Sequence, residues 1–191
     1  MLFGLDTSGK VGQGSLYISI VENRYIDILS DLRKKIRKRH VALASRRRIK
    51  SNTLNDIELK WFIENLKSSH SSCYLSISAF SELRSKFMHI KNWKFKILAC
   101  TFYLASKNLV NKNDVILIDR DYSEDVMRDL LRYLKRLFEY NSKNDIILDV
   151  GTSFNDVITL ADIIAGCSKK NIAKCVEIKP EEIEKLFRII K

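Results

Sequence analysis

Three aspartates, Asp6, Asp119 and Asp162, each interrupt an otherwise apolar segment of the chain, in LFGLDTSG, VILIDRD and VITLADIIAGC respectively. Segments of that kind fold into the interior of a domain. An ionised carboxylate there costs several kcal/mol unless it is paired or coordinated. Three such groups in one chain call for a shared compensation, and a bound divalent cation provides one. Each position also has a plainer explanation. Asp6 lies near the end of a strand that runs into a Gly-rich turn, so it can form that turn. Asp119 can cap a helix starting near Ser123, although Asp121 and Ser123 are closer to that task. Asp162 resists this treatment: it is the only charged residue from Val157 to Cys167, and a helix apolar around its circumference is expected to be buried.

A fourth carboxylate emerges from helical geometry. A helix from about Asn55 to Ser68 places Leu54, Ile57, Trp61 and Phe62 on one stripe. At about 100° per residue, Glu58 projects from the middle of that stripe. The alternative is a first-turn Glu favoured by the helix dipole.

With 191 residues, 46% of them hydrophobic, and no Pro-, Gly- or Ser-rich linker, the chain is expected to form one domain and bury roughly 70% of its unfolded surface. No secretory signal pattern opens it. No stretch approaches the roughly 20 apolar residues that span a bilayer. Cys73, Cys100, Cys167 and Cys175 have no CxxC spacing and no neighbouring His, and His40, His70 and His89 are scattered. This argues against zinc and for reduced cysteines in an intracellular, cytoplasmic protein without an organic cofactor.

Charge is the second signal. The formal net charge is +11, and RKKIRKRHVALASRRRIK carries ten Lys or Arg and no acid: Arg33, Lys34, Lys35, Arg37, Lys38, Arg39, Arg46, Arg47, Arg48 and Lys50. A solvated helix face normally mixes signs. A block of one sign on a chain of pI about 9.5 is the footprint of a binder of phosphate backbones, DNA or RNA. Its apolar residues are too sparse for an interfacial membrane helix.

The pattern of elements predicts strands at Leu2 to Thr7, Gly14 to Val21 and Arg24 to Leu29 as an antiparallel meander. The basic segment and the Glu58 helix follow, as a basic helical insertion at about residues 30 to 70. Next come a strand from Cys73 to Phe80, helix over most of Ser81 to Lys107, a strand from Val115 to Asp119 and a helix from Ser123 to Tyr140. A strand from Ile146 to Val150 and helices from Asn155 to Cys167 and Pro180 to Ile190 close the chain. The expected class is α/β, a mixed sheet with helices on both faces.

This order of elements and acids resembles the ribonuclease H-like superfamily, in which carboxylates on the first strand, a later strand and a C-terminal helix, often with a Glu from an early helix, hold two divalent ions. More narrowly, the chain resembles the family catalogued as domain of unknown function 3800. Asp6-Thr7-Ser8-Gly9 is similar to its opening D-E-S-G, Glu58-Leu59-Lys60-Trp61 to its E-[LI]-K-[GW], and the stretch from Ser153 through Gly166 to its closing S…Q-x-A-D motif. Thr7 stands where the family has Glu, and Thr159 where it has Gln.

The resemblance implies a two-metal nuclease. Two Mg²⁺ or Mn²⁺ ions about 3.5 to 4 Å apart activate a water and stabilise the leaving oxygen of a phosphodiester. Such hard cations select the oxygen ligands this chain offers. The expected roles are Asp6 bridging both ions, Asp119 and Glu58 flanking, Asp162 completing the second ion, and Lys60 facing a substrate phosphate or pairing with Glu58. Asp121 and Asp149 are reserves. Two rival readings follow from the same residues. Gly4 to Val11 nearly matches a phosphate-binding loop, but Val11 replaces its hydroxyl and a strand follows in place of a helix. The other rival is a catalytically silent nucleic-acid-binding or assembly protein that works through the basic segment.

Overall fold

The computed structural model describes residues 1–10, 12–37, 49–66, 70–143, 145–152 and 155–190. It is an α/β fold with a six-stranded mixed sheet and, among the described residues, seven helices. The strands are β1 (Leu2–Ser8), β2 (Leu16–Glu22), β3 (His70–Leu75), β4 (Val115–Asp119), β5 (Ile147–Gly151) and β6 (Val176–Glu177). The helices are α1 (Ile26–Arg37), α2 (Asp56–Asn65), α3 (Ile77–Phe87), α4 (Trp93–Ser106), α5 (Glu124–Tyr140), α6 (Asp156–Lys169) and α7 (Pro180–Phe187). The sheet order is β5-β4-β1-β2-β3-β6. β2 is antiparallel to both β1 and β3, while β4 and β5 run parallel to β1.

Alternation along β1 divides the core. Phe3 and Leu5 point to one face, where they join Leu98 and Phe102 of α4 and Leu130 and Leu134 of α5. Leu2 points to the other, which is covered by Leu32 of α1, Phe62 of α2 and Leu160 of α6. Gly4 lies on that second face. A Cβ at Gly4 would overlap the backbone carbonyl of Val157, so α6 reaches the sheet at a distance that only glycine permits. Gly4→Ala should therefore cost about 3 kcal/mol or more, as overpacking against a backbone that cannot step aside, readable by urea denaturation.

Two expected strands need correction. Arg24 to Leu29 is not a strand: a 3-10 turn at Asn23–Tyr25 leads straight into α1, because Leu29, Leu32 and Ile36 recur at helical spacing and all three are buried. The third strand of the meander is β3, which starts and ends earlier than Cys73 to Phe80. Its end is set by Ser76, whose hydroxyl accepts the Ala79 amide and caps α3. No described helix is long and apolar enough to cross a membrane.

Candidate metal centre

β1 and β4 are adjacent and parallel with Leu5 opposite Ile118, so Asp6 and Asp119 stand side by side just past their last shared pair, toward the carboxyl ends of both strands. The strand order reverses between these two strands, β1-β2-β3 running to one side and β4-β5 to the other, and open α/β sheets bind ligands at such a switch point. After Asp119 the chain folds back: the Asp121 amide donates to the Asp119 carbonyl at 3.0 Å, a three-residue turn that returns Asp121 toward the strand ends. One carboxylate oxygen from each of Asp6, Asp119 and Asp121 lies within 4.8 Å of the others. Asp121 also accepts the Thr7 hydroxyl at 3.3 Å.

Asp162 approaches from α6. The helix is buried over nearly all its length, and Asp162 is half-buried on the side facing the strand ends. Its carboxylate accepts the Ser51 amide at 2.9 Å from the 3-10 turn Ser51–Thr53. The consequence is seen at Asp6, which is 4% exposed and whose carboxyl is pushed up to about 9. Burial is the largest cause, followed by the charges of Asp162 and Asp119, with a smaller push from Asp121. The Thr7 amide, donating to Asp6 at 2.6 Å, opposes the shift. Four carboxylates are thus coupled around one buried member, an arrangement that suits a multivalent cation bound through oxygen.

They line a cavity of about 540 Å³ together with Lys10, Lys50, Lys94, Phe95 and Tyr122. Lys50 closes the basic segment, and Lys10 comes from the β1–β2 turn. That turn is not a phosphate loop: Gly9 holds φ of 109° and the chain reverses into β2 rather than starting a helix. Lys94 and Phe95, in the first turn of α4, carry no signal in sequence. Asp121 had one, its position two residues beyond Asp119.

The other expected residues are placed elsewhere. Glu58 is buried, but its carboxylate accepts the Asn55 amide while the Asn55 side chain accepts the Glu58 amide, each at 2.9 Å. This capping box starts α2. Lys60 is exposed, and neither residue lines the cavity. Glu58→Ala should cost about 1 kcal/mol as a lost cap, while Glu58→Gln, which can still bond the Asn55 amide, should be near neutral. Metal-induced stabilisation unchanged in both, read by calorimetry, would separate a cap from a ligand. Asp149 is exposed on β5 and bonded to the Val150 amide.

Of the basic run, Arg33 pairs with Asp156 at 2.7 Å, Lys34 pairs with Asp31 at 2.9 Å, and Lys35 sits over the Trp61 ring. Arg37 is exposed at the end of α1. Lys38, Arg39, Arg46, Arg47 and Arg48 lie outside the described residues. Cys73, Cys100, Cys167 and Cys175 are free thiols, each pushed up by burial. No family model matches this chain, and no curated protein matches it.

Proposed function

We propose that this chain is a metal-dependent nuclease with a ribonuclease H-like fold, related to the family catalogued as domain of unknown function 3800. One observation carries the reading: Asp6, Asp119 and Asp121 meet within 4.8 Å at the ends of adjacent parallel strands, with the charge of Asp162 acting on Asp6. The topology agrees with it. An antiparallel meander, β1-β2-β3, is extended by parallel β4 and β5 on the far side of β1, and carboxylates stand on the first strand, a later strand and a late helix.

Asp6, Asp119, Asp121 and Asp162 are the residues that would hold Mg²⁺ or Mn²⁺, and the absence of His and Cys from the described cavity lining favours such hard cations. When bound, these ions supply an activated water and charge stabilisation at the leaving oxygen. The protein's own groups do the rest. Lys10, Lys50 and Lys94 draw a phosphate backbone into a cavity whose floor is acidic, and the Thr7 hydroxyl holds Asp121 in place. Asp121 takes the position among the carboxylates that the resemblance gave to Glu58.

The test is incubation with labelled single- and double-stranded DNA, RNA, hybrids and branched junctions in Mg²⁺, Mn²⁺ or EDTA. Cleavage in metal and none in EDTA is the expected result. Tight binding in EDTA with no turnover in either metal would replace the nuclease with a silent nucleic-acid-binding protein.

A further inference from the structure

The same sheet face that carries Asp6 continues into an aromatic surface. Asp6 is opposite Ser19 on β2, and Ser19 is opposite Ser72 on β3, the two hydroxyls bonded at 2.7 Å. Two residues along, about 7 Å on an extended strand, the next row on that face is Ser8, Tyr17 and Tyr74. The tyrosine rings stack across the strands with centroids 5.5 Å apart and planes 24° from parallel. Tyr74 is opposite Glu177 on β6, the neighbouring edge strand.

A cross-strand aromatic pair holds two strands together, and for that purpose it needs no open space beside it. Here both rings are half-exposed and border a second cavity of about 440 Å³, separate from the carboxylate cavity and formed against the end of α6 and the segment that follows it. Exposed Lys174 and Asn171 line it, and so does Ser168. The Ser168 hydroxyl is buried without an oxygen or nitrogen partner among the described residues; the Cys175 thiol is its neighbour. A flat π surface, an amide that can donate and accept, and a cation are the groups that take up an unpaired base and its phosphate.

We propose that Tyr17 and Tyr74 form a stacking subsite for an unpaired base of a single-stranded nucleic acid segment flanking the carboxylate site, with Lys174 on its phosphate. The inference rests on the nucleic-acid reading of that site, though not on its catalysis. Every base offers a π face, so the subsite selects for single strands and tolerates sequence. Lys174 supplies charge without base readout.

The experiment uses the full chain in EDTA, so that binding is read without cleavage. The probes are oligothymidine and oligouridine carrying 2-aminopurine, with a blunt duplex alongside. Wild type should quench the 2-aminopurine fluorescence in at least one of the two single strands, and the arm that responds identifies DNA or RNA. Tyr17→Leu with Tyr74→Leu should weaken single-strand affinity about 5- to 150-fold per stacked base, abolish the quenching and spare the duplex. Tyr17→Phe with Tyr74→Phe, which keeps both rings, should bind as wild type. Lys174→Ala, an exposed change that does not touch the sheet, should lower the single-strand salt slope by about 0.7. Unchanged affinity in the leucine pair, equal loss in the phenylalanine pair, or no binding of either single strand would overturn the subsite. Tyrosine-dependent binding by a protein that cleaves nothing in metal would uphold it and remove the nuclease reading alone.

Discussion

Asp6→Asn, Asp119→Asn and Asp162→Asn should each abolish metal-dependent cleavage while leaving salt-dependent binding of nucleic acid largely intact. Asparagine keeps the shape of the side chain and removes its charge. The two effects separate because the acids would hold the ions, whereas affinity for a phosphate backbone comes from the cations around them. The same substitutions should raise the melting temperature of the metal-free protein. Burial first, and then the charges of Asp162, Asp119 and Asp121, disfavour an ionised Asp6, so folding without a cation has to hold a proton there or bear the unfavourable charge. Each kcal/mol recovered raises Tm by about 2 to 4 °C in a chain of this size. Added Mg²⁺ or Mn²⁺ should reverse the ranking, stabilising wild type more than any variant, since only a folded state that binds the ion gains by mass action. Variants that unfold, together with a wild type whose melting ignores metal, would mean that the carboxylates are structural partners of cations and hold no ion.

Much of this was visible in the residues. Asp6, Asp119 and Asp162 stood out because each broke an apolar run, and burial of such runs is what brings strand ends and α6 together. The burial of α6 could be inferred from its uniform apolarity. The partners of each strand were harder to read. β3 is one-third serine, and the hydroxyl pair that satisfies its buried Ser72 depends on Ser19, a neighbour remote in sequence. Arg24 to Leu29 misled because a short apolar run fits either period, and only the continuation to Ile36 selects the helix. The helical stripe turns Glu58 inward, and it is buried. Its bond to Asn55 follows the N-x-x-E spacing of a capping box, a local signal that competes with any distant ligand role. Lys94 lines the cavity because α4 packs against β2 and β3, which are remote from it in sequence, and no local pattern encodes that.

Between pH 4 and 9, the stability of the metal-free protein should fall as pH rises, and Asp6→Asn should remove much of that slope. In the unfolded chain Asp6 loses its proton near 3.8, while in the folded protein it keeps it to about 9. Across that interval the native state binds one more proton, so ΔG of unfolding decreases by up to about 1.4 kcal/mol per pH unit. Below the interval both states are protonated and Asp6 contributes no slope. Above it both are ionised and the full penalty is in place. The difference between wild type and Asp6→Asn, followed by urea denaturation at several pH values, isolates this carboxyl from the other titrating groups. Metal changes the balance, because a cation binds the ionised form. Below pH 9 its uptake should release a proton, and its dissociation constant should tighten about tenfold per pH unit. Proton release measured in a weakly buffered indicator solution should then accompany Mg²⁺ or Mn²⁺ binding in wild type and be absent in Asp6→Asn. A metal affinity indifferent to pH would place the ion away from Asp6, and the four carboxylates would lose their claim to a common ligand.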